Sequence, residues 1–264
     1  PDQQGIIVVG DVNVDEIEAK IKSIFGTIAK PVNPAERYYV PVEDNMEPIV
    51  SIAKDKEQQY AISYMFFKHD VVDRNEKTSF DYYALLYVKD VIAEMINQRL
   101  AEMTHTPNPP FLQAMAADDN FFFAKTKDAF TATIITKETE LLGGIASMYR
   151  EVLRAVRNGF TESEYERARA EIIAHMESAY NEREKVKSAD YCREYVRHFI
   201  DNEPIAGIEN DYLLTQQIAN MISVEMVNEV MKGMISDHNR VIACMLPDKE
   251  NVVYPTADEI VQKL

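Results

Sequence analysis

Five histidines are the residues best suited to metal chemistry in this sequence, and they lie far apart along the chain. They are His69, His105, His175, His198 and His238. A catalytic zinc site brings three protein ligands together, often through an H-x-x-E-H or H-E-x-x-H motif on a helix, and neither motif occurs here. Glu171 with His175, and Glu194 with His198, are each four residues apart and so share a helix face. A solvated ion pair is the favoured interpretation of both pairs, with zinc ligation as the alternative.

The sequence also lacks the context that activates a serine or cysteine nucleophile. Ser147 lies in Gly144–Met148 (GIASM), which lacks the second glycine of a nucleophile elbow, and Cys192 has no histidine in a dyad pattern. Cys192 and Cys244 are therefore interpreted as small buried thiols on a helix and a strand. The pair Gly143-Gly144 does not make a phosphate loop.

Acidic and aromatic clusters are the remaining candidates for a site. Asp118-Asp119 and Glu162–Glu171 could act as acid/base pairs, but a turn and a solvated helix face explain them better. An aromatic group early in the chain is interpreted as core rather than as a ligand box. It consists of Tyr60, Tyr64, Phe66 and Phe67. The residues alone thus predict no catalytic residue and no metal ligand, and they leave any substrate-binding residues unassigned.

The charge of the chain limits its partners. Lys and Arg total 28 and Asp and Glu total 44, which gives a formal net charge of -16. Such a chain repels a phosphate backbone, so nucleic acid is a poor partner and basic peptides are favoured. No apolar run approaches the ~20 residues that a membrane-spanning helix needs. A hydrophobic fraction of 46% is sufficient for a sizeable core.

The first segment has the pattern of a buried strand followed by an amphipathic helix. Gly5–Val9 is continuously apolar, and Asn13 with Glu16 has the spacing of a capping box. The helix would present Ile17, Ile21, Ile24 and Phe25 on one face. Because no other strand precedes this segment in the chain, we expect it to close a domain that lies upstream.

A similar succession of elements occurs at the other end of the chain. Arg240–Leu246 is an apolar strand, and Asp258–Leu264 (DEIVQKL) repeats four of the seven residues of Asp15–Ile21 (DEIEAKI). Strand, loop and helix recur in the same order, as homologous tandem domains would show. The chain is therefore interpreted as part of a longer protein.

Three parts are predicted from these patterns. Residues 1–29 would be the closing strand and helix of a preceding domain. Residues 30–48, which contain four prolines, would be a linker. Residues 49–264 would be a complete domain.

This last part predicts strands and helices in an α+β order. The first strands are Ile49–Ala53 and Gln59–Lys68 as a hairpin, and the last strand is Arg240–Leu246. Between them, two or three further strands are predicted from Phe111–Met115, Asn120–Lys125 and Ala129–Ile135. The helices are Ser79–Met103, Thr136–Asn158, Thr161 to about Ile200 with a break at Glu182–Lys187, Asp211–Met221 and Val224–Met234. Thr161 with Glu164 forms a capping box after Gly159, and Ser223 can cap the last of these helices. The order indicates a mostly antiparallel sheet with helices packed against it.

Three stretches resemble the insulinase/pitrilysin family of zinc metallopeptidases, the inverzincins. Val8–Pro31 resembles the segment that closes the first domain of these proteins. Ile96–Glu102 (INQRLAE) resembles the end of a family helix before an edge strand. Asn158–Ala168 resembles the helix start "G-hydrophobic-T-x-x-E-hydrophobic-x-x-A". The resemblance implies the metallohydrolase-like fold of the insulinase and processing-peptidase family.

In such proteins, homologous domains of about this length pair into two halves that enclose a chamber, and zinc binds to the first domain alone. The family's H-x-x-E-H motif and its distant glutamate would lie upstream of Pro1, so this chain would be the non-catalytic second domain and hold no cofactor. Related domains carry an arginine and a glycine-x-tyrosine segment that hold substrate, whereas Thr104–Phe111 (THTPNPPF) matches neither. This departure fits a long, four-domain member whose substrate anchor lies in its last domain.

The resemblance thus implies an internal segment of a zinc metalloendopeptidase that forms chamber wall and inter-domain contacts while other domains hydrolyse peptides. The segment alone is expected to be inactive. Its partners would be other domains of the same polypeptide and a peptide substrate, a basic one by charge. A structural relative without metal or activity is the alternative, and a stand-alone binding module for basic peptides is a third hypothesis. The compartment is not fixed by the sequence, and a bacterial periplasmic or exported location is the working expectation.

Overall fold

The computed structural model describes residues 2–264, which form a five-stranded sheet and eight α-helices. The strands are β1 (Ile49–Asp55), β2 (Ala61–Asp70), β3 (Gln113–Asn120), β4 (Lys127–Thr136) and β5 (Arg240–Pro247). The helices are α1 (Val14–Phe25), α2 (Phe80–Thr104), α3 (Leu141–Asn158), α4 (Glu162–Asn181), α5 (Ser188–Asp201), α6 (Ile208–Met221), α7 (Val224–Met234) and α8 (Ala257–Val261). Short 3-10 helices, Glu138–Glu140 and Arg183–Lys185, precede α3 and α5.

The sheet is mixed, with the strand order β1-β5-β2-β4-β3. β1 and β5 run parallel, whereas the β5–β2, β2–β4 and β4–β3 pairs are antiparallel. The predicted α+β class is therefore confirmed. The predicted β1–β2 hairpin is wrong, because β5 lies between the two strands. β5 buries side chains such as Ile242 and Cys244, so it takes an interior place, and the largely exposed β1 is left at the edge.

Several predicted boundaries hold and others move. α2 and α7 agree with prediction, and the break near Glu182–Lys187 is present as a 3-10 turn. The Thr161–Glu164 capping box forms in full, whereas Ser223 precedes α7 without a side-chain capping bond. Asn13 caps α1 by accepting from the amides of Asp15 and Glu16.

Of the two or three strands predicted here, two are present. A separate strand at Asn120–Lys125 is wrong, because Asn120 ends β3 and residues 121–126 form the tip of the β3–β4 hairpin. The amide of Phe121 donates to the carbonyl of Lys127, and Phe122 has a positive φ of 53°. The strand that precedes the tip is also longer than predicted, and it runs through Asp118-Asp119 instead of turning there. On the far side of the hairpin, the helix predicted from Thr136 begins only at Leu141, since Thr136 is the last residue of β4.

The predicted strand Gly5–Val9 does not pair with any other strand within residues 2–264. It stays extended, and α1, which follows it, has no buried residue. The reason is physical: a strand needs main-chain partners beside it, and the described residues supply none at this place.

The core lies between the helices and one face of the sheet. Met65 and Phe67 of β2 point into this core, where they join side chains of α2, α3 and α7. Phe66 points to the opposite face, where its buried neighbours are Ala129 and Val241. No helix contributes to that second cluster among the described residues, and most of the face stays open. Its exposed apolar side chains include Ile49, Met115 and Met245.

The segment just before β1 is fixed to the sheet by hydrogen bonds, and we call residues 42–48 the clamped segment. The amide of Asn239 donates to the carbonyl of Asn45, and the Asn45 amide donates to Oδ1 of Asn239 over 2.9 Å. Lys68 Nζ donates to the carbonyl of Glu43 over 2.6 Å, and the Val42 amide donates to Thr126 Oγ1. The part of the predicted linker nearest the sheet is therefore not a free tether.

Candidate functional site

The most deeply buried carboxylate outside the helix layer is that of Asp118 on β3, whose side chain is 1% exposed. Its Oδ2 lies 2.8 Å from Nε2 of His69 at the end of β2, and its Oδ1 pairs with Lys89 of α2. His69 Nδ1 lies 3.1 Å from the carbonyl oxygen of Asp70. Carbonyl and carboxylate oxygens only accept hydrogen bonds here, so both ring nitrogens must donate. This arrangement therefore favours the imidazolium form of His69.

The pKa values agree with that assignment. Burial by itself lowers the pKa of His69, but the hydrogen bond and charge of Asp118 outweigh burial and raise it above the usual 6.5. Burial by itself raises the pKa of Asp118, but His69 and Lys89 outweigh it and bring it below 3.8. A general base for neutral pH needs a carboxyl pKa raised toward 7. The Asp118 cluster is thus suited to joining β2, β3 and α2, and not to proton transfer.

No motif or spacing in the sequence predicts this cluster. The turn predicted at Asp118-Asp119 is wrong, because both residues lie within β3. His69 lies 49 residues away and carried no pattern of its own. Only the pairing of β3 and β2 through β4 brings the two side chains together.

An acidic cleft of about 360 Å³ lies beside this cluster, between α2, the ends of β3 and β4, and the α5–α6 connection. Its lining includes Lys77, Tyr82, Asp90, Asp118, Asp128, Asp201, Glu203 and Asp211. Lys77 Nζ lies 2.6 Å from Glu203, and the Tyr82 hydroxyl donates to the same carboxylate over 2.9 Å. Burial, and then the charge of Glu194, raise the pKa of Asp211. The excess of carboxylates gives the cleft the electrostatics to hold a cationic group, and it contains no activated nucleophile.

A second ion network joins three helices. Arg99 of α2 binds Glu164 with two nitrogens, at 2.5 and 3.0 Å, and donates to the carbonyl of Gly159 over 3.0 Å. Its guanidinium also reaches Glu151 of α3 and lies over the ring of Phe160. Burial alone raises the pKa of Glu164, yet Arg99 and the Thr161 cap bring it to about 2. This network secures the start of α4 and has no open face for a ligand.

The histidines do not assemble a metal site. His175 lies on α4 and His198 on α5, and His198 Nδ1 contacts the carbonyl of Glu203 at 2.7 Å. Within residues 2–264, no three His, Cys, Asp or Glu side chains lie close enough together to hold a metal ion. The donor set of the described chain therefore does not fit zinc.

The remaining candidates have structural surroundings. Phe66 and Phe67 are buried as interpreted, whereas Tyr60 is exposed. Cys244 is buried beside the Ser63 hydroxyl, and Cys192 is partly exposed on α5. Gly143-Gly144 lies within α3. A Cβ on Gly144 would come within 2.5 Å of the Thr136 side chain, so Gly144 allows the helix to approach the sheet closely.

Comparison with known proteins places this arrangement in a family. The family model described as "Peptidase M16 inactive domain" matches residues 1–172. The chain belongs to the M16 peptidase family. The resemblance to insulinase-type peptidases is thereby confirmed, and zinc belongs to the protease family as a whole.

Individual M16 relatives are considerably longer than this chain. The zinc protease PQQL-like protein of Arabidopsis thaliana is 26% identical over 243 residues, which are 92% of this chain and 22% of the relative. The first half of the periplasmic protease PqqL from Escherichia coli superimposes with a TM-score of 0.79 at 15% identity, covering 96% of this chain and 53% of that structure. A predicted insulinase family protease from Yersinia pestis gives 0.77 at 14% identity, with coverages of 96% and 53%. The two structures show the M16 fold.

One of the three stretches that resemble the family lies beside the edge of the sheet. Ile96–Glu102 is in the last third of α2, which leads to the edge strand β3. Asn97 donates from Nδ2 to the carbonyl of Ala116 over 3.0 Å and accepts from the amide of Ala116 over 2.7 Å. One side chain thus satisfies both main-chain groups on the outer edge of β3, as a neighbouring strand would.

The loop between α2 and β3 contains the segment in which substrate residues were sought. Phe111 is buried there, and Thr104 with Leu112 lines a small groove of about 330 Å³. No arginine or tyrosine occurs in Thr104–Phe111. Separately, no α-helix within residues 2–264 is both long enough and apolar enough to cross a membrane.

Proposed function

We propose that this chain is an internal, non-catalytic segment of a zinc-dependent metalloendopeptidase. The observation that carries the proposal is the superposition of 96% of the chain on half of a PqqL structure, combined with a donor set that does not fit zinc. In this proposal the zinc and the catalytic residues belong to a domain upstream. The chain then contributes wall and contact surface to the chamber in which peptides are cleaved.

The proposed division of the chain is residues 1–29 for the end of the preceding domain, residues 30–48 for the linker and residues 49–264 for the complete domain. The contrast between α1 and α8 supports this division. Ile260 of α8 is fully buried against the core, whereas its counterpart Ile17 in α1 is only half-buried. Ile24 of α1 is 63% exposed. An apolar helix face left open in this way indicates a partner surface elsewhere in the longer protein.

The surfaces of the domain suggest how the roles are shared. The open face of the sheet, with Met115 and Met245, would form part of the chamber wall. The acidic cleft would attract basic segments of a peptide substrate. A periplasmic location is proposed from the Escherichia coli relative, which is a periplasmic protease.

The decisive experiment compares this chain with the full-length protein on unstructured basic and acidic peptides, with and without a chelator. We expect cleavage by the full-length protein that the chelator abolishes, and no cleavage by the isolated chain. Zinc-dependent cleavage by the isolated chain would refute the proposal. A full-length protein that neither binds zinc nor cleaves peptides would instead support a purely structural member of the family.

A further inference from the structure

Helix α5 carries an apolar stripe that the described residues leave incompletely covered. Within residues 2–264, α5 and α1 are the two α-helices without a buried residue. Cys192, Val196 and Phe199 follow each other at helical spacing on one side of α5, and Val196 and Phe199 are 36% and 43% exposed. A helix in a globular domain normally buries such a stripe.

Polar contacts at its C-terminal end hold α5 in place. Arg74 donates to the carbonyls of Phe199 and Ile200 over 3.0 Å, and Asn202 donates back to the Arg74 carbonyl over 2.8 Å. Lys125 pairs with Asp201 at 2.8 Å. The position of α5 is therefore fixed without use of its apolar stripe.

The extended segment Gly5–Val9 lies on this stripe. A Cβ on Gly5 would be 2.9 Å from the ring of Phe199, so main chain and ring are in contact. Ile7 lines a groove of about 550 Å³ together with Val196 and Phe199. A second groove lies beside Val196 toward the start of α5, so Gly5–Val9 covers only part of the stripe.

Gly5–Val9 has the properties of a strand without neighbours. Ile7 and Val9 are half-buried, whereas Ile6 and Val8 are 45% and 48% exposed, which is the two-residue alternation of a strand. Within residues 2–264, no main-chain group of Ile6–Val9 makes a hydrogen bond. Both edges of this segment are thus open to further strands.

We infer that Gly5–Val9 is one strand of a sheet in the preceding domain, and that this sheet packs its face on the α5 stripe. The inference rests on the proposed function, in which a further domain lies upstream. The relatives have room for that domain, since this chain covers 53% of the PqqL half. The other strands of the sheet would flank Gly5–Val9 and cover the grooves beside Val196. The partner of α5 is then a β-sheet of the same polypeptide.

Hydrogen exchange of the full-length protein, compared with the chain of residues 1–264, tests this inference. We expect peptides from Gly5–Val9 and from α5 to exchange at least tenfold more slowly in the full-length protein. Peptides from α3, which is buried in the core of this chain, should exchange equally in both. Equal exchange of α5 in the two proteins would overturn the inference. Protection of α5 in the isolated chain that rises with protein concentration would also overturn it, since the partner would be a second copy.

A pair of substitutions in the full-length protein locates the effect on the stripe. Val196→Asp should return α5 to fast exchange, and the milder Phe199→Ala should do so in part, which matters if the first variant fails to fold. Gly5–Val9 should stay protected in both variants, because the flanking strands of the upstream sheet hold its main chain. Glu194→Gln, on α5 but outside both grooves of the stripe, is the control and should leave protection of α5 unchanged. Protection of α5 that survives both stripe substitutions would contradict the inference. Peptidase activity of the full-length protein is measured in a separate assay. Absence of activity would refute the proposed function, whereas the exchange of α5 alone decides the inference about the stripe.

Discussion

His69 gives the Asp118 cluster its pH dependence. Because the folded-state pKa of His69 lies above 6.5, its contribution is complete below about pH 6.5 and is lost as the pH rises through the folded-state value. We expect His69→Gln to cost about 1.5–3 kcal/mol of unfolding free energy at pH 6, the range of a hydrogen bond to a charged group. The cost should shrink toward pH 9. Urea unfolding from pH 5.5 to 9 measures it.

The exposed His105 is the matched control for that series. His105→Gln should leave the pH profile of the wild-type protein unchanged. Parallel profiles for the wild-type protein and His69→Gln would mean that folding does not shift the pKa of His69. The expectation would then be wrong, however large the loss of stability.

The environments of individual side chains were harder to predict from the sequence than the helices and strands. The capping box of Thr161 and Glu164 could be predicted because its members are three residues apart and the interaction is local. Asp118 could not, because its environment depends on which strand pairs with which. A buried carboxylate and a turn carboxylate look the same in sequence until the sheet order is known.

At the scale of elements, α2 closes the outer edge of β3 through Asn97. Asn97→Ala would leave the buried amide and carbonyl of Ala116 without partners, and we expect a loss of about 1–3 kcal/mol. The loss would appear as a lower urea midpoint with an unchanged m-value. Gln98→Ala is the control, because within residues 2–264 the side-chain amide of Gln98 bonds only to Glu94 on its own helix. Equal losses of unfolding free energy for both variants would show that the contact of Asn97 with β3 does not stabilise the fold.

Elements were predicted well where the pattern is local and long. α2 and α4 have helical spacing and defined ends, and both formed close to the predicted positions. The predicted β1–β2 hairpin is absent because neighbours in sequence need not be neighbours in a sheet, and here the apolar strand β5 takes the interior position between them. Asn120–Lys125 has aromatic residues typical of a strand, but a hairpin needs a loop there.

For the whole molecule, the proposed boundary at residue 29 makes a prediction about cooperativity. Deleting residues 1–29 removes α1, which has no buried residue, and should change the unfolding free energy by no more than about 0.5 kcal/mol. Asn239→Ala, which breaks the clamped segment, should cost about 1–3 kcal/mol, because Asn239 is buried and bonded to Asn45. Guanidinium unfolding of both variants, followed by circular dichroism, measures the difference. A large loss from the deletion would place residues 1–29 inside the folding unit.

Two of the short stretches that resemble the family contain residues with a structural role in this chain. Arg99 and Glu164 belong to two of the three resembling stretches, and the structure shows them bonded to each other. Nothing comparable marks the surfaces. The stripe of α5 and the open face of the sheet are ordinary amphipathic patterns in sequence, and their exposure depends on which neighbours are present.

Because of the clamped segment, insertions and deletions should have different effects in the first and the last part of the linker. Residues added or removed between positions 30 and 41 would alter how far the upstream part can reach, but the chain would still enter the sheet at the same point and in the same direction. A single deletion between Val42 and Pro48 would move each donor and acceptor there by one position and break the register with Asn239 and Lys68. Insertions and deletions among natural homologues should therefore collect before Val42 and be rare after it.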